Sequence, residues 1–271
     1  MFNSNRPMIM GILNITPDSF SDGGQYTNIA TAIRQAETML AEGADIIDVG
    51  GESTRPGAAS IPAEEQIHRV VPVISALHHS HPQLPISIDT TLSSVAAAAL
   101  QAGAGIINDI SAGQHDSDML ALAATSAVPL ILMHMQGTPQ NMQDNPYYTD
   151  VVTEVIVALQ QRIAAALAAG IQPSNIIIDP GIGFGKRKQD NLALLAELKQ
   201  FVALGFPVLL GTSRKRFMGS ICNVSEPSEL VTATAVTTAL GVMAGVGLFR
   251  VHDVQANRQA ADVAWAIKHA R

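Results

Sequence analysis

Short apolar runs recur along the chain and are separated by segments of helical length. Each run continues for a few residues and then opens into small polar residues, as buried strands of a parallel α/β protein do. The first run begins at Met8 and changes at Asn14 into a loop rich in Pro, Asp, Ser and Gly. The predicted strands are 8–15, 44–50, 85–90, 105–110, 128–135, 175–179, 207–212 and 248–254.

Amphipathic segments fill the intervals between these strands. In the first one the apolar positions are spaced three or four residues apart, and Gly43 follows as a helix stop. The predicted helices are 28–42, 64–79, 92–102, 116–126, 151–169, 191–204, a pair at 214–219 and 227–244, and 255–268.

Eight strand–helix repeats of about 30 residues predict an α/β protein with a (β/α)₈ TIM-barrel fold. We expect residues 1–271 to form one domain, because no linker interrupts the repeats. An open doubly wound sheet is the weaker alternative, since polar residues follow nearly every strand instead of one switch point.

Composition narrows the functional classes. The net charge is −7 without a block of like charges, which argues against a nucleic-acid surface but leaves room for a local basic pocket. The single cysteine, Cys222, excludes an internal disulfide framework and a cysteine-rich zinc site. We find no signal-peptide pattern and no apolar run near the roughly 20 residues that span a bilayer. We therefore expect a cytoplasmic protein that binds neither nucleic acid nor membrane.

Polar side chains at the predicted strand ends form the candidate site. A single Asp or Asn at such a position is usually a turn former or a helix cap. Several such residues occur at the same position relative to the preceding apolar run. This favours a site, because barrel active sites form at the C-terminal ends of the strands. Asp48 is the weakest candidate. The set is Asn14, Asp48, Asp89, Asn108, Asp179, Lys215, Arg250 and His252.

Strand alternation assigns Arg250 and His252 to one face, which we take as the barrel mouth. An arginine is rarely buried without an anionic partner, so this pair is interpreted as an anion clamp. Together with a divalent ion held by Asn14, the clamp would suit a diphosphate. The two aspartates Asp89 and Asp179, with the Asn108 amide, would instead match the N–H groups of a planar heterocycle.

Two glycine-rich stretches have alternative interpretations. DPGIGFGK, residues 179–186, lacks the phosphate-loop spacing, and its glycines more simply permit a turn that lets Phe184 cover a ligand. GTSRKR, residues 211–216, opens a helix whose free N–H groups would favour a carboxylate or phosphate. A solvated basic helix start explains this second stretch equally well.

With these residues assembled, the chain resembles the dihydropteroate synthase family nearly end to end. The matching stretches are NITPDSFSDGG from Asn14, DVGGESTRPGA from Asp48, SIDT from Ser87, INDI from Ile107, DPGIGFGK from Asp179, GTSRKRF from Gly211 and RVHDV from Arg250. The resemblance implies condensation of 6-hydroxymethyl-7,8-dihydropterin diphosphate with p-aminobenzoate. The products would be 7,8-dihydropteroate and pyrophosphate, formed by early cleavage of the C–O bond. It also implies Mg²⁺ as cofactor and a homodimer.

The resemblance assigns a role to each candidate residue. It implies that the pterin is held by Asp89, Asn108, Met133, Asp179, Phe184, Gly211, Lys215 and Arg250. It implies that the diphosphate is held by Asn14, through Mg²⁺, and by Arg250 and His252. The implied p-aminobenzoate contacts are Phe20, Thr54, Arg55, Pro56, Phe184, Ser213 and Lys215, with mobile loops at 16–24 and 53–57. The implied catalytic groups are Asp89, Asp179, Lys215, Arg250 and His252. Arg216 stands where many relatives have Ser.

Three alternatives remain open from the sequence. A pterin-binding methyltransferase would not need the anion clamp at Arg250 and His252, and a silent pterin-binding paralogue would have lost part of it. A phosphate-binding aldolase barrel would place a Schiff-base lysine at a strand end, whereas Lys215 lies at a helix start.

Overall fold

The computed structural model of the chain describes residues 6–15, 25–53, 57 and 60–270, of which residues 25–28 are described by their backbone alone. Its strands all run parallel, and each is buried along most of its length. The eight strands are β1 (Met8–Asn14), β2 (Ile46–Gly50), β3 (Ile86–Asp89), β4 (Ile106–Asp109), β5 (Leu130–Met133), β6 (Ile176–Asp179), β7 (Leu209–Leu210) and β8 (Leu248–Val251).

The strands form one sheet in the order β6-β5-β4-β3-β2-β1-β8-β7. The two outermost strands meet through an isolated parallel bridge between Ile178 and Val208, where Ile178 N–H donates to Pro207 O at 3.0 Å. This bridge closes the sheet into a cylinder. The predicted (β/α)₈ barrel is thus confirmed, and the open doubly wound alternative is wrong.

Helices follow the strands around the outside of the barrel. They are α1 (Gln25–Ala41), α2 (Ala63–Ser80), α3 (Ser93–Ala102), α4 (Met119–Ser126), α5 (Val151–Ala168), α6 (Lys188–Ala196), α7 (Leu198–Val202), α8 (Arg216–Cys222), α9 (Val231–Ala244) and α10 (Val254–Lys268). The helix predicted at 191–204 is two helices, because Glu197 leaves the helical conformation at φ −107°, ψ 23°. The segment predicted as helix at 227–244 begins as a short 3₁₀ turn, Pro227–Glu229.

The barrel interior is filled by apolar side chains near the first residues of the strands. Two residues further along most strands, the same face carries the polar groups Asp48, Asn108, Asp179 and Arg250, because side chains alternate between the two faces of a strand. The apolar plug consists of Met10, Ile46, Ile106, Ile131, Ile177, Leu209 and Leu248. The fold therefore closes the N-terminal end of the barrel and directs its polar side chains to the C-terminal mouth.

Helix α5 is the one helix in the described ranges that is long and apolar enough to cross a membrane by length and composition alone. Its buried residues recur every three or four positions, so one stripe packs on the barrel as in an ordinary barrel helix. These buried residues are Val151, Val155, Leu159, Ile163 and Ala166.

Candidate active site

A cavity of about 820 Å³ opens at the C-terminal ends of the strands. Its wall is built from strand ends and from the loops that follow β5, β6 and β7. Ten of the residues predicted from the sequence line this cavity and are brought together by the fold. They are Asn14, Asn108, Met133, Asp179, Phe184, Gly211, Ser213, Lys215, Arg250 and His252.

Of the other five residues to which the resemblance assigns a role, the structure describes only Asp89. Asp89 is buried and absent from the lining, although it bonds to Arg250, which does line the cavity. The other four, Phe20, Thr54, Arg55 and Pro56, lie outside the described residues, as does the loop 16–24.

Asp179 is held by the turn that follows β6. Its Oδ1 accepts a hydrogen bond from Gly181 N–H at 2.7 Å. This turn requires glycine, since Gly181 has φ +67° and a Cβ there would overlap the carbonyl oxygen of His134. Burial raises the pKa of the Asp179 carboxyl to about 6, against the opposing effects of the Gly181 bond and of Lys215, Lys186 and Arg250. Asp179 is therefore anionic at neutral pH.

Arg250 lies in a buried ion-pair network. Its Nε donates to Asp48 Oδ2 and its Nη2 to Asp89 Oδ2, both at 2.6 Å. The anionic partner that the sequence analysis expects for this buried arginine is thus supplied by two protein carboxylates, and its contact with a diphosphate stays a prediction. Asp48, the weakest candidate in the sequence, is fully buried within the network.

The same network perturbs Asp89 and holds Asn108. Burial raises the pKa of the Asp89 carboxyl to about 7, opposed by Arg250 and reinforced by the negative charges of Asp48, Asp109 and Glu52. Asn108 Nδ2 donates to Asp48 Oδ2 at 3.2 Å. The amide oxygen of Asn108 is then the atom left to accept a hydrogen bond from a ligand.

Lys215 and Phe184 pack together on the opposite wall. Nζ of Lys215 lies 4.0 Å from the centroid of the Phe184 ring, in a cation–π contact. Burial lowers the pKa of the Lys215 amine to about 8; Arg250 also lowers it, while Asp179 and Asp89 oppose the shift. The wall can therefore present a flat apolar face and a cation to a planar ligand.

His252 is oriented by Ser213. The backbone N–H of His252 donates to Ser213 Oγ at 3.0 Å, and its Nδ1 lies 3.0 Å from the same oxygen. Asn14, the last residue of β1, is half-buried at the rim of the cavity. Asn14 and His252, which the resemblance assigns to the diphosphate, thus both line the cavity, and so does Ser213, which it assigns to p-aminobenzoate.

Lys186 is the main residue that the sequence analysis missed. Its ammonium group lies 2.8 Å from the oxygen of Gly181, 3.0 Å from that of Phe184 and 3.2 Å from that of His134. Burial lowers the pKa of this amine to about 7. The sequence signal that could have identified Lys186 is its place at the end of DPGIGFGK. In the structure it links the loops after β5 and β6 and so fixes the position of Phe184.

Basic residues dominate the cavity wall within the described ranges. Two of the arginines are neutralised locally: Arg187 pairs with Asp190 at 2.8 Å and Arg214 with Asp253 at 2.6 Å. Arg216 is exposed on the wall. Among the described residues, the lining contains one carboxylate, Asp179, and the cations Lys186, Arg187, Lys188, Arg214, Lys215, Arg216 and Arg250. A chain of net charge −7 thus presents a basic pocket, which suits anionic ligands.

Comparison with known proteins shows the family of the chain. The pattern of the family described as pterin binding enzyme matches residues 10–252. The dihydropteroate synthase of Synechocystis sp. is 46% identical over 262 residues, covering 97% of this chain and 90% of that protein.

Solved structures give the same result. The structure of Xanthomonas albilineans dihydropteroate synthase with 4-aminobenzoic acid is 45% identical, with a TM-score of 0.91, and the match covers 97% of this chain and 94% of that one. The same enzyme in complex with 7,8-dihydropteroate gives a TM-score of 0.88 at 41% identity, covering 99% of this chain and 95% of that one.

The fold, the site and these matches define a pterin-binding enzyme, and the chain belongs to that family. Its activity is that of the dihydropteroate synthases: it is a transferase of folate synthesis that condenses 6-hydroxymethyl-7,8-dihydropterin diphosphate with p-aminobenzoate. The activity predicted from the sequence is confirmed. The methyltransferase, silent-paralogue and aldolase alternatives are therefore wrong.

Proposed function

We propose that this cavity releases the diphosphate before the aryl amine attacks, so that the reaction proceeds by dissociative displacement. An aryl amine is a weak nucleophile, whereas a dihydropterin ring can delocalise the cation that forms when its C–O bond breaks. The buried carboxylate of Asp179 would favour that cation electrostatically. The observation that carries this proposal is the position of Asp179, the one carboxylate among the described residues of a lining that holds seven lysine and arginine side chains. A pKa of about 6 favours its anionic form at neutral pH.

The pterin would bind between the strand-end polar groups and the Phe184 wall. The Asp179 carboxylate and the Asn108 amide oxygen would accept the N–H groups of the ring, while Lys215 would donate to its acceptor edge. Gly211 supports this placement because it has no side chain, and a Cβ at this position would lie 3.7 Å from Asp179 Oδ2. The space beside this oxygen is therefore left for a ligand. Asp89 has one buried oxygen, Oδ1, with no hydrogen-bond partner among the described residues, and we keep it as a further acceptor. Met133 would complete the apolar wall.

The diphosphate would be held on the side of Arg250, His252 and Asn14. The described residues contain no group of three or more His, Cys, Asp or Glu side chains that could hold a metal ion. Mg²⁺ commonly takes most of its ligands from substrate phosphates and water. The single amide oxygen of Asn14 at the rim fits this mode, and Mg²⁺ bound with the diphosphate would add positive charge near the leaving group. Arg250 and His252 would stabilise the departing diphosphate from the protein side.

The p-aminobenzoate would bind between Phe184 and the loop that carries Ser213 and Lys215. Its carboxylate would meet the basic groups of that loop, and its ring would pack on Phe184. Arg216 lies on the same wall and offers an exposed guanidinium. The residues Phe20, Thr54, Arg55 and Pro56 stay predictions for the same pocket.

Pyrophosphate release in the presence and absence of p-aminobenzoate tests the reaction. For the order of steps, the decisive experiment is positional isotope exchange in the labelled pterin diphosphate. Scrambling of the bridging oxygen without turnover supports C–O cleavage before attack. Absence of scrambling under conditions where the bound diphosphate can rotate would contradict the dissociative order.

We also propose that the protein is a homodimer that uses one face of α9 and α10. Val236, Leu240 and Met243 follow each other at helical spacing on α9, and Val263 and Ile267 do so on the neighbouring α10. Each is at least 45% exposed, so these two stripes leave apolar surface uncovered. Light scattering should give twice the chain mass for the parent and the chain mass for Leu240→Glu. A parent of single chain mass would contradict the proposal.

A cytoplasmic location is likewise proposed for this enzyme of folate synthesis. Cell fractionation with antibodies against the chain tests it, and recovery in an exported fraction would contradict it.

A further inference from the structure

We infer that Asp48 is a positioning residue for the reaction: it fixes the Arg250 guanidinium and the Asn108 amide in the cavity without contacting substrate itself. The inference rests on the proposed roles of Arg250 and Asn108 in binding the pterin diphosphate. Asp48 lies in the middle of β2, has no exposed surface and does not line the cavity.

Two carboxylates on neighbouring strands accept hydrogen bonds from the same guanidinium. Arg250 Nε donates to Asp48 Oδ2 and Nη2 donates to Asp89 Oδ2, each at 2.6 Å. Asp48 pairs in register with Ser87, two residues before Asp89, so both carboxylates project from the same face of the sheet. Bonds at two nitrogens fix the plane of an otherwise flexible side chain. Nη1 makes no hydrogen bond within the part of the chain that is described, so it is the nitrogen left for a ligand.

The same oxygen of Asp48 also orients a second side chain on the cavity wall. Asn108 Nδ2 donates to Asp48 Oδ2 at 3.2 Å, which turns the amide oxygen into the group available to a ligand. One buried oxygen therefore sets the direction of a cationic donor and of a neutral acceptor.

The partners of Asp48 distinguish this role from general support of the fold. Its two hydrogen bonds run to Arg250 and Asn108, and its other oxygen, Oδ1, has no partner among the described residues. Asp109 is equally buried but accepts from Ser111 and Gly113, residues of its own loop. Asp48 thus connects to the cavity, whereas Asp109 connects only to local backbone and a neighbouring hydroxyl.

Asp48→Asn tests the inference because it keeps the size of the side chain and removes its charge. We expect kcat/KM for the pterin diphosphate to fall about 10- to 100-fold, the usual effect of losing a partner that orients a ligand-binding group. In an Arg250→Gln background the same substitution should cost no more than about twofold further, because its main partner is already absent. Circular dichroism and thermal unfolding establish that each variant is folded.

Asp109→Asn is the matched control, since it neutralises a buried strand-end aspartate whose hydrogen bonds run to Ser111 and Gly113 and not to Arg250 or Asn108. It should keep kcat/KM within about threefold of the parent. Parental kcat/KM in Asp48→Asn would overturn the positioning role, and an equal loss from Asp48→Asn in both backgrounds would overturn the part of it that runs through Arg250. Parental turnover in Arg250→Gln alone would overturn the proposed role of Arg250 and this inference with it, so the two failures are distinguishable.

A structural measurement decides the matter if Asp48→Asn does not fold. In a crystal structure of the parental enzyme with a bound pterin diphosphate, Arg250 Nε should stay within about 3.2 Å of Asp48. A guanidinium that has left Asp48 to reach the ligand would overturn the inference.

Discussion

Gly211→Ala probes the pterin position with very little disturbance of the fold. Gly211 follows β7 and lines the cavity. A Cβ there would lie 3.7 Å from Asp179 Oδ2 and 3.9 Å from Leu209 Cδ2, which are ordinary van der Waals distances, and the backbone is not in the left-handed region. The substitution should therefore be neutral or slightly stabilising, as a compatible Gly→Ala change usually is, by about 0.4–1 kcal/mol.

The added methyl group should nevertheless obstruct the ligand. It would project into the space beside Asp179 Oδ2, where the N–H edge of the pterin is proposed to bind. A hydrogen bond to a charged group contributes about 1.5–3 kcal/mol, so its loss corresponds to a decrease of about 10- to 150-fold in affinity. We expect KM for the pterin diphosphate to rise by a factor in that range, measured by pyrophosphate release at saturating p-aminobenzoate.

Gly247→Ala is the matched control for this experiment. Nothing lies within 4 Å of a Cβ at Gly247, which precedes β8 at the closed end of the barrel. Both variants should unfold at or slightly above the parental temperature, and only Gly211→Ala should lose pterin affinity. If Gly211→Ala binds the pterin diphosphate within about twofold of the parent, the ring does not use the Asp179 edge as proposed.

Further predictions concern Asp179 and the turn that holds it. Because its carboxyl has a pKa of about 6 and must be anionic to favour the cation, kcat/KM should fall as the pH falls through 6. Asp179→Asn should change this acidic limb, and a pH profile of the same shape as that of the parent would contradict the assignment. The raised pKa also means that the folded chain binds this proton more tightly than the unfolded chain, so stability from this group falls as pH rises from about 4 to 6. The free energy of unfolding of Asp179→Asn minus that of the parent should accordingly be up to about 3 kcal/mol larger at pH 8 than at pH 4, measured by denaturant unfolding. The same difference at both pH values would refute the linkage. Gly181→Ala should lose both stability and turnover, because its Cβ would overlap the His134 carbonyl at a φ of +67°; parental thermal unfolding would show that the turn tolerates a side chain.

The fold was predictable because its signal is repeated and local. The strands are short apolar runs, and four of the eight, β1, β3, β4 and β6, end in Asn or Asp. Alternation along β8 correctly placed Arg250 and His252 on the cavity wall. The break at Glu197 carries no such signal, since its neighbours are good helix formers and the helix ends there through tertiary packing.

The sequence predicted ten residues that line the cavity, but it did not predict how their side chains pair. The sequence identifies Arg250 as a buried cation, yet it does not specify which anion neutralises it. Only the register of β2 with β3 brings Asp48 and Asp89 to its two nitrogens. Lys186 was missed for a related reason, because three of its acceptors are backbone carbonyls, which no residue type reveals.

The bridge between Ile178 and Val208 has a consequence for binding energetics. It is a single bridge, whereas β1 and β2 are joined over five register pairs. Asp179 follows Ile178 on one side of this join, and Lys215 belongs to the loop beyond β7 on the other side. A pterin that hydrogen-bonds to both residues would connect β6 and β7 at the join where a single main-chain bridge holds the barrel closed. Bound ligand should therefore slow amide exchange at β6 and β7 more than elsewhere in the barrel.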